Sequence, residues 1–210
     1  MGAKIDGFYN RIGKLLHLDD LIPYDGHIGG VVIVDHAHHE VHEGHAFTCR
    51  FTDTVMGDTD TIILAFKTMS VPIYIHMQTK FSTLVGGNLQ IWEGATWTTN
   101  TGTVAPIICR NRGYGCARSK ILEDKTATPA FTVTGNILSN VTGLNTGSAT
   151  SLYNEYAFGI KGKIEAGERG VSEFVLKSDT KYAFVFTAIG ASNKAAVTLD
   201  WYEHPEYIDV

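Results

Sequence analysis

From residue 31 onward the chain repeatedly alternates apolar and polar side chains with a period of two. Phe47, Cys49 and Phe51 interleave with Thr48, Arg50 and Thr52. Ile73, Ile75 and Met77 interleave with Tyr74, His76 and Gln78. Phe174 and Leu176 flank Val175 and follow Glu173, and Val197, Leu199 and Trp201 interleave with Thr198, Asp200 and Tyr202. Successive side chains on a strand point to opposite faces, so each run reads as a strand with one face in a core and one in water. Residues 62–66 and 182–187 are denser apolar runs, which fit more central strands. Gly, Asn and Asp clusters at 56–58, 85–88, 99–102, 111–115 and 165–170 read as turns between the runs. About eight to ten strands at this spacing predict a mainly β chain, a β-sandwich or jelly roll. Residues 135–151, rich in Gly, Asn, Ser and Thr, read as one long loop of the kind that faces partners.

The first 18 residues have a different period. Ile5, Phe8, Tyr9, Ile12, Leu15 and Leu16 recur at helical spacing, and Asp6 can cap the start. Gly7 and Gly13 weaken that helix. So short an amphipathic helix is marginal alone and has to pack on something. Residues 19–30 read as a connector around Pro23. The expected division is therefore an N-terminal segment, 1–30, and a β domain, 31–210.

Charge narrows the partners. The 210 residues carry a formal net charge of −5, which argues against nucleic acid, since phosphate binding needs clustered Lys and Arg. The one local basic group, Arg110, Arg112 and Arg118, sits in a Gly-rich loop and reads as solvated or salt-bridged. No 18-residue apolar stretch is present, so no membrane-spanning helix is expected. No apolar run of signal-peptide length follows Met1. The three cysteines, Cys49, Cys109 and Cys116, contain no CxxC pair, and the chain reads as one made in a reducing compartment.

Five of the nine histidines fall in one stretch, HAHHEVHEGHAF at 36–47. A zinc protease needs HExxH on a helix, so that both imidazoles share a face. His42-Glu43-Gly44-His45 is one residue short, His39-Glu40 meets Glu43 where the second His belongs, and Gly44 sits badly in a helix. The segment reads as extended, leading into a strand near His45. On a strand His36 and His38 share a face, so His36, His38 and His42 are the candidate metal ligands, with a single His tripled near the axis of a symmetric oligomer. The alternative has imidazoles hydrogen-bonded to backbone or to Asp35, Glu40 and Glu43. No cofactor is expected.

Catalytic constellations are weak. There is no GxSxG elbow and no Walker A loop. Glu93 and Glu155 are a nominal glycosidase pair, because two carboxylates suffice for that chemistry. Trp92, Trp97, Trp201 and Tyr202 are able to stack on sugars, but on strands such residues more often belong to a core or an interface. No enzymatic activity is expected.

Six separated blocks stand in order: HHEVHEGHAF at 38–47, LAFKT at 64–68, LVGGNLQIWEGATWTTNTGT at 84–103, LEDKTATPAFT at 122–132, EFVLKSDTKYAFVFTA at 173–188 and NKAAVTLDWYEH at 193–204. Together they resemble a widespread family of small structural proteins of tailed bacteriophages, seen as head decoration, head-fibre or minor capsid proteins. The resemblance implies a β-sandwich or jelly-roll domain, often trimeric, carried on the virion. The expected partners are then the major capsid protein and sister copies, with assembly in the host cytoplasm. The N-terminal segment lies outside the resemblance. It reads as the attachment device, with Ile5, Phe8, Tyr9, Ile12, Leu15 and Leu16 as its docking residues. The competing expectation is a host-surface or glycan-binding fibre domain reading through loops 110–120 and 135–151, with Trp97 or Tyr114 as its aromatic.

Overall fold

A computed structural model of the chain describes residues 36–70, 73–113, 121–122, 136–158, 164–166 and 173–205. Two compact units divide the chain, residues 1–39 and 40–210. The proposed docking residues from Ile5 to Leu16 lie outside the described residues.

The histidine stretch is helical, not extended. Helix α1 spans His36–His42. Gly44 is the reason it ends there. It takes a left-handed φ of 77°, its N–H donates to the Val41 carbonyl, and the next N–H, of His45, donates back to the Glu40 carbonyl. That pair of bonds is the Schellman closure, which favours glycine because no Cβ is strained at positive φ. The glycine that argues against a helix from within therefore argues for one from just beyond its end.

The second unit is a sandwich of two antiparallel sheets. The first sheet has the order β10-β3-β13-β1-β6, built from β1 (Ala46–Met56), β3 (Ile73–Thr83), β6 (Ile107–Cys109), β10 (Ile164–Ala166) and β13 (Asn193–Pro205), with β11 (Glu173–Leu176) also pairing β3. The second has the order β5-β8-β2-β12-β4-β9, built from β2 (Thr61–Thr68), β4 (Gly86–Glu93), β5 (Thr103–Ala105), β8 (Ile137–Ser139), β9 (Thr150–Phe158) and β12 (Lys181–Ala188). The two-residue strand β7 (Ile121–Leu122) adds to β2. Thirteen strands are described where eight to ten were expected. The surplus consists of strands of two or three residues, too short to show a period. Gly86, Gly87 and Asn88 open β4 instead of forming a turn, and Ile164–Ala166 is strand.

One core lies between the sheets. Phe47, Cys49, Met77, Phe81, Val197, Leu199 and Trp201 enter it from the first sheet, and Ile62, Leu64, Phe66, Leu89, Ile91, Phe184 and Phe186 from the second. Phe81 and Phe186 meet across the layers at 5.8 Å between ring centroids. The dense runs in β2 and β12 are central, as expected, and they are apolar on both faces for a physical reason. Their outer side chains, Ala65, Ala183 and Val185, are covered by Trp97, Leu138, Val141, Leu144 and Ala149. The stretch read as one partner-facing loop, 135–151, thus contains β8 and folds back over the second sheet. It is laced to the 94–101 segment by Asn145 N–H to the Thr96 carbonyl, 2.7 Å, and Thr98 N–H to the Thr142 carbonyl, 2.9 Å.

The chain crosses from the first sheet to the second between β11 and β12, and a polar corner fastens that crossing. The buried Tyr182 hydroxyl donates to Glu93 at 2.9 Å and accepts from the Lys177 N–H at 2.8 Å, while the Lys177 ammonium donates to Glu93 at 2.7 Å. Thr68 adds a donor to the Lys177 carbonyl at 2.7 Å. Burial raises the Tyr182 hydroxyl's pKa, and the Glu93 charge raises it further. For Glu93, burial acts upward, but the bonds from Lys177 and Tyr182 and the Lys177 charge bring it below its ordinary value.

Candidate functional site

The outer face of the first sheet carries a polar cluster built from three strands. On β3 the inner face takes Ile75, Met77, Thr79 and Phe81, so the period of two turns Tyr74, His76 and Gln78 outward. On β13 Trp201 and Glu203 point inward and Tyr202 and His204 outward. The antiparallel register sets Tyr202 directly opposite His76, and His204 opposite Tyr74. On the other side of β3, strand β11 sets Glu173 opposite Gln78.

The resulting geometry is tight. His76 Nδ1 lies 2.8 Å from Glu173 Oε1, and the Gln78 amide donates to Glu173 Oε2 at 2.7 Å. The Tyr202 hydroxyl also donates to Glu173, at 3.2 Å. His76 Nε2 faces His204 Nε2 at 3.0 Å. The His76 ring stacks on Tyr202 at 4.6 Å and 8° between planes, and Tyr74 closes on His204 at 5.4 Å. Burial pushes the Glu173 carboxyl upward, yet bonds from Gln78, His76 and Tyr202, with the His76 charge, hold it below its ordinary value. A carboxylate facing Nδ1 needs a proton there, which leaves Nε2 of neutral His76 as a lone pair. Of these residues only Tyr202 was a sequence candidate, as a sugar-stacking aromatic. The signal of the others was present only as the polar half of three alternating strands.

At the other end of the same face, β1, β3 and β13 form a shallow trough of about 280 Å³. Ala196 forms its floor between register partners Thr52 and Ser82, and Arg50 and Lys194 rim it.

The sequence candidates disperse. His36, His38 and His42 all stand on α1, where His38 and His42 are exposed and, four residues apart, share a helical face. The strand pairing of His36 with His38 is therefore lost. Among the described residues no group of three or more His, Cys, Asp or Glu converges as metal ligands do. His45 instead pairs with the buried Glu40 at 3.1 Å. Glu93 and Glu155 are offset: Glu155 opposes Leu89, four residues from Glu93, or about 13 Å along a strand. That exceeds the separation two-carboxylate hydrolysis uses. Trp201 is core, its indole N–H bonded to Glu203 at 2.9 Å. Trp97 is 6% exposed, under the Lys181 ammonium, and its indole nitrogen has no hydrogen-bond partner among the described residues. Arg110 and Arg112 are exposed; Arg118 and Tyr114 lie outside the described residues. Cys49 is a buried free thiol, whereas Cys109 is disulfide-bonded, which a reducing compartment does not favour.

Comparison with protein-family models, curated proteins and solved structures returns no match.

Proposed function

We propose that the chain is a non-enzymatic virion structural protein that decorates or reinforces a tailed-phage capsid. Its partners are the major capsid protein and sister copies in a homotrimer, and its domain is a jelly-roll-like sandwich. The observation that supports the reading is where the blocks of the resemblance fall. They occupy β2, β4, β11, β12 and β13, and they include Glu93, Lys177 and Tyr182, the corner that fastens one sheet to the other. The likeness therefore follows the parts that make this sandwich rigid as well as its apolar core. A rigid slab with threonine-rich outer strands suits many repeated shallow contacts, which symmetry and avidity turn into lasting attachment. The protein assembles in the host cytoplasm and resides on the capsid surface. A disulfide at Cys109 belongs to the oxidising exterior met after release.

The test is attachment. Purified protein should co-sediment with undecorated capsids, and deleting residues 1–28 should abolish occupancy. Full occupancy by the deleted form would remove the attachment role of Ile5, Phe8, Tyr9, Ile12, Leu15 and Leu16. Failure of the intact chain to bind would remove the decoration reading. Of the two aromatics named for the fibre-domain alternative, Trp97 is buried, and Tyr114 lies outside the described residues.

A further inference from the structure

We infer that His76 and His204 chelate a divalent transition-metal ion through their Nε2 atoms, with Glu173 positioning His76 from behind. The proposal stands apart from the capsid reading and rests on geometry.

The two Nε2 atoms are 3.0 Å apart, while the ring centroids are 5.0 Å apart. Both nitrogens therefore lie between the rings, on the sides that face each other. Neighbouring nitrogens of a tetrahedral ion held at about 2.0–2.1 Å are about 3.3–3.4 Å apart, so the pair has to open by a few tenths of an ångström. The remaining requirement of a histidine ligand is a partner on its other nitrogen, which fixes tautomer and ring orientation and raises basicity. Glu173 supplies it at 2.8 Å from His76 Nδ1 and is itself tied by Gln78 and Tyr202. The rings are also held in place: Tyr202 stacks on His76, Tyr74 lies against His204, and the His76 side chain is only 19% exposed. The pair is thus largely pre-formed, which limits the ordering cost of binding.

A hydrogen bond between the two Nε2 atoms needs one hydrogen, and with His76 Nδ1 facing Glu173 that hydrogen belongs to His204. The ion takes the place of that hydrogen. Neutral His204 shifts its proton to Nδ1, and a protonated pair releases one proton to solvent. Binding therefore weakens as pH falls, because protons compete for the same lone pairs. Among the described residues no third His, Cys, Asp or Glu converges on the pair. Imidazole donors favour zinc, nickel and copper over calcium or magnesium. Among the described residues the charged groups near the pair are Glu173 on β11, and Lys80 and Asp200 further along β3 and β13, which bond each other at 3.0 Å.

The experiment is calorimetric titration of the full chain with zinc chloride at pH 7.5. The variants are His76→Gln, His204→Gln, Glu173→Gln and, as a control for α1, His38→Gln/His42→Gln. One zinc per chain at this site is expected, lost in both single histidine variants and retained in the α1 control. Glu173→Gln should weaken it about 10–100-fold. Long-range proton–nitrogen spectra of the unmutated chain give a second readout independent of variant folding: zinc should shift two Nε2 resonances while the His76 Nδ1 proton persists. Absence of zinc binding, binding undiminished in His76→Gln and His204→Gln, or shifts confined to other histidines would each overturn the proposal.

Discussion

Gly87 is where the sandwich tolerates no side chain, and replacing it with alanine tests the packing most sharply. Gly87 lies in β4 between register partners Ala188 on β12 and Ala157 on β9. A Cβ there would run into the ring of Phe186, and would stand 2.8 Å from the Thr187 carbonyl oxygen. Phe186 is fully buried and braced across the core by Phe81, so its ring has nowhere to swing. The carbonyl belongs to the ladder and moves only if β4 moves. Overpacking of this kind costs about 1–3 kcal/mol, and the backbone contact puts Gly87→Ala toward the upper end. For a domain of this size that corresponds to a fall of about 4–12 °C in Tm. Urea unfolding followed by tryptophan fluorescence measures it. Phe186→Leu opens room beside the new methyl, so the double variant should recover part of the loss, with a coupling of about 0.5–3 kcal/mol in the cycle. A Gly87→Ala chain within about 0.5 kcal/mol of the parent, or strictly additive substitutions, would refute this account of the core.

Three further outcomes follow from named contacts. Tyr182→Phe deprives the Lys177 N–H of its acceptor and Glu93 of a donor, and should cost about 1–3 kcal/mol in urea unfolding without changing the fold. Glu93 and Glu173 both titrate below their ordinary 4.5 in the folded chain. The unfolded state therefore binds protons first, and the stability they contribute is complete above about pH 4.5 and lost as pH falls through their lower folded values. Melting temperature against pH should show that acid limb, shallower in Glu93→Gln. Burial pushes the Cys49 thiol up to about 12, so it should resist aromatic disulfide reagents at pH 8 and react only after unfolding.

Much of the sandwich was legible because burial on one face writes a period of two into β1, β3 and β13. The central strands were legible for the complementary reason: β2 and β12 are covered on both faces, which leaves dense apolar runs. What covers their outer faces was not legible. Trp97, Val141 and Leu144 sit in polar, turn-rich stretches whose local chemistry says loop, and only the Thr96–Asn145 pairing reveals that these stretches lie on the sheet. Helix α1 was missed because seven residues show barely two helical turns, and because Gly44 was weighed as an interior residue instead of a cap. The His76–His204 pair was beyond reach for a different reason. Its members are 128 residues apart, and a slip of one residue in the pairing of β3 with β13 would send one of them into the core.

The central claim is that this sandwich coats a capsid in many copies. A symmetric reconstruction of the particle that carries the protein tests it most directly. The account predicts density for the sandwich as trimers repeated over the capsid surface, with the N-terminal segment at the contact with the shell. Density confined to a few copies at the tail, or no density on the particle, would contradict it.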